Sequence, residues 1–250
     1  IVQRIDNHVD GTVHVLFEVP SALVKGEATV VFEQLFDNIG SHGTTSNDRL
    51  VTKHEDINDD GQTVHYPLIH TTATDSVTNH HSGVADDSTV INDSITYKNL
   101  TPGQKYEAVA TLHDANTGEA LLDENGEVIA GRTTFTPEES DGEAIVSIRV
   151  PANVAMGRDI VVFEKMYRGV EASGEITASH EDKDDKDQTV SYPEIHTTAT
   201  VNGEHNATAL THGDKTTLVD TIEYKNLNVG STYRASGKLM DKDTGETVKD

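Results

Sequence analysis

Cysteine and tryptophan are both absent from the 250 residues, and phenylalanine occurs only five times. Without cysteine, no disulfide can stabilise the chain in any compartment. Hydrophobic residues make up 34% of the sequence, so any cores must be thin. The sequence has no signal peptide, no cell-wall sorting signal and no apolar stretch long enough to span a bilayer. We therefore expect no insertion of this segment into a membrane.

Positive charge is scarce as well. The chain has 19 Lys and Arg residues against 43 Asp and Glu residues, which gives a formal net charge of −24 at pH 7. A chain this acidic repels phosphate backbones and gains nothing from an anionic membrane surface, so nucleic acid is excluded as a partner. Its apolar residues nevertheless fall in short alternating runs, which distinguishes it from a disordered acidic chain.

A repeat with a period near 126 residues dominates the sequence. The pentapeptide HTTAT at residues 70–74 returns at 196–200, and each copy closely follows a Tyr-Pro pair. Three more segments recur at nearly the same spacing: HEDINDDGQTV as HEDKDDKDQTV, TVVFE as IVVFE, and INDSITYKNL as LVDTIEYKNL. This period is too long for a solenoid repeat and is typical of whole β-sandwich domains in tandem.

Local patterns predict an all-β fold. The runs TVHVLFEV (12–19), KYEAVATLHD (105–114) and EAIVSIRV (143–150) are rich in Val, Ile, Thr and Tyr, as strands are. TPGQ, ANTG, DENG and KDTG are typical of the turns between strands. No segment has the pattern of an amphipathic helix. The sequence therefore predicts tandem Ig-like β-sandwich domains, each with a two-layer core.

The repeat predicts one complete unit flanked by two halves. Residues 67–190 form the complete unit, residues 1–66 resemble only its second half, and residues 191–250 resemble only its first half. The two end pieces together make roughly one unit opened at a hairpin tip, where cuts are tolerated. Because the chain starts and stops in the middle of the pattern, we expect it to be a piece of a longer protein.

The order of these motifs resembles a known family. A Thr-Thr pair in HTTAT, an Asp before the strand SITY, the dipeptide FE and a His eight residues before a Gln occur in the order found in Thr-Gln ester-bond domains. These domains, also called VaFE repeats, are found in surface adhesins of Gram-positive bacteria. The resemblance covers nearly the whole chain and implies a structural stalk segment, outside the cell and anchored to the cell wall by a part beyond this chain.

The resemblance implies an autocatalytic cross-link. A Thr hydroxyl on the first strand attacks the side-chain amide of a Gln on the last strand, ammonia leaves, and a Thr-Gln ester remains. Motif alignment selects Thr71 over Thr72 as the nucleophile and Gln188 as its target. Because side chains alternate along a strand, Thr72 is expected on the other face of the sheet.

The resemblance also implies the groups that assist the reaction. His180 is expected to carry the proton, since a Thr hydroxyl is a poor nucleophile until a base takes its proton. Asp93 and Glu164 are expected as paired carboxyls that polarise the Gln188 amide, one of them kept protonated by the other. The reaction occurs once per domain, so no turnover enzyme is expected, and neither a cofactor nor a metal is implied.

A second, split site follows from the end pieces. Its predicted residues are Thr197 and Asp220 in the C-terminal piece, with Thr197 preferred to Thr198, and Glu33, His54 and Gln62 in the N-terminal piece. We expect the pieces at opposite ends of the central unit, so that the chain's partner is a second copy joined head-to-tail, with a Thr197–Gln62 ester between chains. Any host-cell ligand is expected to bind domains outside this chain.

Other interpretations remain open at this point. The Asp-rich runs resemble calcium loops, although Pro67 stands where an EF-hand needs Glu. Lys98 and Lys225 suggest a Lys-Asn isopeptide bond, but the adjacent Asn99 and Asn226 cannot be their partners across a core. The hydrolase, zinc-protease and phosphate-loop motifs are absent. The main alternative is an uncross-linked Ig-like module that binds a ligand or calcium.

Overall fold

A computed structural model of the protein describes residues 10–37, 49–171, 174–209, 212–213 and 215–248. The described residues form strands joined by turns, with two four-residue helices, α1 (Ser21–Val24) and α2 (Ala152–Ala155). Each helix follows a proline, whose fixed φ angle suits the start of a helix. Neither of these helices approaches the length or the apolar character needed to cross a membrane. The all-β, Ig-like prediction is confirmed.

The described residues of the N-terminal piece, 10–37 and 49–66, include α1 and four short strands. The strands are β1 (Ala28–Val30), β2 (Glu33–Asp37), β3 (Arg49–His54) and β4 (Thr63–His65). They form two antiparallel pairs, β1 with β4 and β2 with β3. These are the pairings that the second half of a unit can make by itself.

One sheet of the central unit has three antiparallel strands in the order β5-β6-β9. They are β5 (Leu68–Asp75), β6 (Val90–Lys98) and β9 (Gly142–Arg149). Burial alternates along β5 and β6, because successive side chains of a strand point to opposite faces of the sheet. One face is therefore available to the core.

The other sheet of the central unit is built around the longest strand. Its members are β7 (Tyr106–Asp114), β8 (Ala130–Phe135), β10 (Asp159–Arg168), β11 (Glu175–His180) and β12 (Thr189–Ser191). The order is β11-β10-β7-β8, and β12 pairs with the first residues of β10. The last strand of the unit is thus hydrogen-bonded to β10.

The two sheets enclose an apolar core. Its fully buried members include Ile95, Leu112, Ile148 and Met166, which come from both sheets. Burying such side chains stabilises a domain by about 1.5–3 kcal/mol each. The core is the scaffold that holds the few buried polar side chains in place.

The strands described in the C-terminal piece are β13 (Glu194–Val201), β14 (Glu204–His205) and β15 (Val219–Lys225). The order is β14-β13-β15, and all pairings are antiparallel. Every residue of β15 is exposed, whereas its counterpart β6 buries alternate residues. The first half of a unit therefore forms its hairpin without a second sheet to cover it.

Residues 12–19 do not form the predicted strand and are exposed. Their counterpart in the central unit is β9, which pairs with β6 along its whole length. In the repeat, the strand equivalent to β6 is β15, which belongs to the C-terminal piece. The strand prediction is wrong for the isolated chain because a strand needs a neighbour for its backbone hydrogen bonds.

The two end pieces contact opposite ends of the central unit. Just after β6, the side-chain amide of Asn99 donates to the carbonyls of Glu27 (3.1 Å) and Tyr66 (3.5 Å) in the N-terminal piece. In the loop before β6, the hydroxyl of Ser82 accepts from the side-chain amide of Asn228 (2.8 Å) in the C-terminal piece. Because β6 runs the length of the sandwich, the two pieces lie at opposite poles of the central unit.

Candidate functional site

The first strand of the central unit directs one threonine of the HTTAT motif into the core. Thr71 is completely buried on β5, together with Ile69 and Ala73 on the same face. Thr72 lies on the other face and is half-buried. Strand alternation therefore separates the two threonines, and only Thr71 faces the interior between the sheets.

Asp93 lies beside this threonine on the neighbouring strand. In the register of β5 and β6, Ala73 stands opposite Asp93 and Thr71 stands opposite Ile95. Thr71 and Asp93 are therefore diagonal neighbours on one face of the sheet, at a distance that polar side chains can bridge. Asp93 is completely buried.

Glu164 and Gln188 reach the same place from the other sheet. Glu164 is on β10 and only 1% exposed, and Gln188 immediately precedes β12 and is completely buried. The backbone carbonyl of Gln188 accepts from Val162 N at 3.0 Å. The carbonyl of Asp187 accepts from Ala73 N at 2.8 Å, so Gln188 is held between the two sheets.

The contacts within this cluster are incomplete. Gln188 Nε2 donates to Asp93 Oδ1 at 3.3 Å. Five other buried side-chain oxygens have no hydrogen-bond partner among the described residues: Thr71 Oγ1, Asp93 Oδ2, both carboxyl oxygens of Glu164, and Gln188 Oε1. An unpaired buried polar group costs about 1–3 kcal/mol. The four side chains thus form a costly polar cluster in an otherwise apolar core.

Burial and proximity keep a proton in the cluster at neutral pH. Burial, followed by the negative charge of Asp93, raises the pKa of Glu164 to about 10. Burial also raises the pKa of Asp93, against the opposing effects of Glu164, Gln188 and the positive charge of His180. Thr71 lies close enough to lower the pKa of Glu164, although the two groups do not meet at ordinary hydrogen-bond geometry. Glu164 is therefore protonated at pH 7.

His180 borders the cluster and is fixed by a neighbouring carboxylate. It stands opposite Glu164 in the pairing of β10 and β11, and its Nε2 lies 2.8 Å from Asp185 Oδ2. Burial acts to raise the pKa of Asp185, but hydrogen bonds from the backbone of Asp187 and from His180 outweigh it, so the net pKa is lowered. Asp185 is thus an anion that orients the imidazole.

The N-terminal piece reproduces one side of this arrangement. Glu33 stands opposite His54 in the pairing of β2 and β3, and His54 Nε2 lies 2.7 Å from Asp59 Oδ2. The amide nitrogen of Gln62, oriented towards acceptors, lies 3.0 Å from the carbonyl of Val31 and 3.2 Å from both carboxyl oxygens of Glu33. The side chain of His54 is 53% exposed, against 19% for His180, because no second sheet covers it.

The C-terminal piece reproduces the other side. Ala199 stands opposite Asp220 and Thr197 opposite Ile222, which is the register of the corresponding residues on β5 and β6. Thr197 and Asp220 are both exposed. The structure does not bring these two residues to those of the N-terminal piece, since the pieces lie at opposite poles of the central unit.

Sequence reasoning missed the acidic partner of each histidine. Asp185 and Asp59 both lie five residues after their histidine, so a signal was present in the repeat. It was hidden because each belongs to a run of several carboxylates. Which of these carboxylates folds back onto the imidazole depends on the turn between β11 and β12.

Two alternatives can be compared with the geometry. An isopeptide bond of the kind considered above needs its lysine inside the core. Lys98 is exposed and points away from the core. Within the ranges that the structure describes, no group of three or more His, Asp or Glu side chains could hold a metal ion. The acidic turns after His54 and His180 instead use their carboxylates to accept backbone hydrogen bonds, for example from Gly61 and Asp187.

Comparison with solved structures identifies bacterial proteins of low sequence identity. Two crystal forms of an adhesin from Mobiluncus mulieris, described as containing disulfide, isopeptide and ester bond cross-links, are 17% and 16% identical. Each alignment covers 64% of this chain and 75% of the adhesin chain, with a TM-score of 0.40. A DUF4466 family protein from Parabacteroides merdae is 12% identical over 55% of this chain and 50% of its own, with a TM-score of 0.29.

Comparison with sequence families is more specific. No curated protein matches the chain at a significant level. The model of one family, described as the T-Q ester bond containing domain, matches residues 3–66, 67–192 and 193–250. These three matches together span almost all of the sequence. The chain therefore belongs to the family of T-Q ester bond containing domains.

Proposed function

We propose that the central unit forms an ester between the side chains of Thr71 and Gln188. The observation that supports this proposal is the shared burial of a hydroxyl, an amide and two carboxyls whose oxygens lack partners. Ester formation removes the hydroxyl proton and the amide nitrogen from the core. The product therefore carries fewer polar groups that need hydrogen bonds than the reactants do.

The reaction is an acyl transfer within one chain. Thr71 Oγ1 attacks the side-chain carbonyl carbon of Gln188, the carbon–nitrogen bond breaks, and the nitrogen leaves as ammonia with the proton from the hydroxyl. All atoms balance without an oxidant, a reductant or a cofactor. Because both reactants are fixed between the same two sheets, the step gains the rate advantage of an oriented intramolecular reaction.

The carboxyl pair supplies the acid. Glu164, protonated at pH 7, can donate to the oxygen on which negative charge develops. Asp93 accepts from the amide nitrogen of Gln188, which is the leaving group. Transfer of a proton between the two carboxyls and the departing nitrogen completes the expulsion of ammonia.

His180 is the proposed proton carrier. Asp185 holds its Nε2, which leaves Nδ1 to exchange protons with the site. Its positive charge lowers the pKa of Asp93, so the imidazole is electrostatically linked to the carboxyl pair. Asp185 is in turn the residue that orients the ring, as carboxylates do in other nucleophilic sites.

We also propose that the chain is a stalk segment of an extracellular, cell-wall-anchored adhesin. The ester joins the first and last strands of a unit, where tensile force enters and leaves a domain, and so shields the chain between them. The ester cross-links named for the Mobiluncus mulieris adhesin are in keeping with such a role. Any host-cell ligand would be bound by domains beyond this chain.

The test is the intact mass of the purified chain under denaturing conditions. We expect a mass one ammonia below the calculated value, and the full mass for Thr71→Ala. Thr72→Ala is the matched control, since Thr72 is the next residue and faces away from the core. A wild-type chain of full mass would refute the ester, and calcium titration would then test the uncross-linked alternative.

The split site leads to a second proposal, head-to-tail association of two chains. Apolar side chains of the end pieces are exposed although their counterparts in the central unit are buried. In the N-terminal piece these are Val15, Phe17, Val19 and Leu35, and in the C-terminal piece Ile195, Leu218, Ile222 and Tyr224. The exposed side chains of each end piece form the face that the missing half of a unit would cover. The partner that fits this face is the opposite end piece of a second copy of the chain.

The register of the central unit supports the fit between the pieces. In the central unit Tyr97 stands opposite Gly142, and a Cβ at Gly142 would come within 2.5 Å of the Tyr97 hydroxyl. The corresponding residues of the split unit are Tyr224 and Gly11, so the small residue recurs where the ring needs space. Phe17 would likewise stand opposite Leu218, as Ile148 stands opposite Ile91.

We expect the purified chain to form head-to-tail multimers, some of which survive denaturing electrophoresis through a Thr197–Gln62 ester. Thr197→Ala should remove the covalent ladder but leave association in native light scattering, and Thr198→Ala should leave both unchanged. Phe17→Asp should abolish association, because it places a charge in the joined core. A monomer at high protein concentration would rule out the head-to-tail proposal.

A further inference from the structure

A second buried contact joins the two strands that carry the proposed ester. Tyr192 Oη lies 3.3 Å from Asp75 Oδ2, and both residues are almost completely buried. Asp75 comes four residues after Thr71, and Tyr192 comes four residues after Gln188. The two residues of the contact are therefore separated by 117 residues, as Thr71 and Gln188 are, and the contact lies further along both segments.

The carboxylate of this contact is fixed on its own strand. Asp75 Oδ1 accepts hydrogen bonds from the backbone nitrogens of Val77 (3.1 Å) and Thr78 (2.9 Å) in the turn that follows β5. The next loop closes over Asp75, because a Cβ at Gly83 would come within 2.3 Å of its Oδ2. The oxygen that meets Tyr192 is thus held at a defined position relative to β5.

The tyrosine is fixed on the opposite sheet. Its backbone nitrogen donates to Arg158 O at 2.9 Å, and its carbonyl accepts from Gly157 N at 3.1 Å. Burial, followed by the negative charge of Asp75, raises the pKa of Tyr192, so the phenol remains neutral and able to donate. The hydrogen bond therefore connects two rigid elements, β5 and the strand that follows Gln188.

We propose that Asp75 and Tyr192 are a positioning pair that holds Thr71 in register with Gln188 and so speeds ester formation. This inference rests on the proposed ester. Ser191 also bonds to His81 and Gly83, but these bonds hold the loop after β5; within β5 itself, the backbone bond from Ala73 N to Asp187 O alone would let the strand pivot about one point. A second tie at Asp75 removes that rotation, and errors of about 1 Å at a reacting atom slow such reactions by about 100-fold.

The repeat indicates that the Asp75–Tyr192 pair affects the rate of ester formation and is not required for the reaction itself. The second copy of the motif, in the C-terminal piece, reads HTTATV where the central unit reads HTTATD, so Val201 occupies the position of Asp75. Tyr66 occupies the position of Tyr192 in the first copy. The split unit would therefore pair Tyr66 with Val201, and ester formation would proceed there without a hydrogen bond equivalent to that between Tyr192 and Asp75.

The test follows the mass of newly made full-length chains. Translation in a cell-free system is stopped, and the loss of ammonia is followed over time by denaturing mass spectrometry. We expect Tyr192→Phe and Asp75→Ala each to slow the reaction about tenfold, the rate equivalent of one good hydrogen bond. The double variant should be no slower than either single variant, because both remove the same contact.

Tyr106→Phe is the matched control. Tyr106 is another buried tyrosine of the central unit, and its hydroxyl accepts a hydrogen bond from Thr101 N (3.0 Å) near the far end of β6. If loss of stability were the cause, Tyr106→Phe would slow the reaction as much as Tyr192→Phe. Equal slowing, or no slowing in Tyr192→Phe, would overturn the positioning pair. A wild-type chain that loses no ammonia would instead refute the ester itself.

Discussion

Replacing Glu164 by glutamine is expected to give a folded chain that retains its full mass, with no ester in the central unit. The variant keeps the shape of the side chain but removes the acidic proton that burial holds on Glu164 at neutral pH. Loss of a general acid or base slows a reaction by about 100- to 10,000-fold. The measurement is the fraction of chains that have lost ammonia after hours at pH 7.

The matched control for this prediction is Glu175→Gln. Glu175 is exposed on β11, the strand next to β10, so its replacement makes the same Glu-to-Gln change outside the core. It should cross-link like the wild type. Normal ammonia loss in Glu164→Gln would mean that the carboxyl pair takes no part in the reaction, and Asp93 would then be left with a structural role only.

Glu164→Gln is also expected to change how the free energy of unfolding depends on pH, when it is added to the uncross-linked variant Thr71→Ala. The folded-state pKa of Glu164 is raised from 4.5 to about 10, so folding retains a proton that the unfolded chain releases between these values. The neutral carboxyl of Glu164 makes its full contribution to the free energy of unfolding below about pH 4.5, and this contribution declines as the pH rises towards 10. Adding Glu164→Gln should flatten that decline, as denaturant unfolding at several pH values would show.

Some of the geometry could be predicted from residue spacing alone. Alternation along a strand puts either Thr71 or Thr72 into the core but not both, and the structure buries Thr71. The repeat likewise puts Thr197 and Asp220 together in the C-terminal piece, and the structure places them on the neighbouring strands β13 and β15. Strand periodicity and a repeat are local, regular signals, so they can be read without knowledge of the other sheet.

Contacts between the sheets could not be predicted in this way. The tie from Asp75 to Tyr192 depends on how β5 lies against β12, and no period in the sequence encodes that distance. The failure of residues 12–19 to form a strand has the same origin. A strand-forming composition is necessary for β structure, but the partner that completes the hydrogen bonds is a property of the assembled fold.

Loss of the cross-link in Thr71→Ala is expected to lower the free energy of unfolding of the central unit by about 4–5 kcal/mol. The proposed ester would close a loop of 117 residues between Thr71 and Gln188, and a covalent link across such a loop restricts the unfolded state by about that amount. For a unit of this size, the melting temperature should fall by roughly 15 °C. Scanning calorimetry and circular dichroism in denaturant would measure both quantities.

The origin of that loss can be separated from simple damage to the core. Gln188→Ala removes the other end of the same bond, so each single variant should lose the whole cross-link and the double variant little more. Independent damage at the two sites would instead add up in the double variant. Thr72→Ala should leave the melting temperature nearly unchanged, because it keeps both reacting groups and alters only the outer face of β5. Additive losses would therefore assign the stabilisation to packing around Thr71 and Gln188, and a double variant equal to the single ones would assign it to the covalent bond.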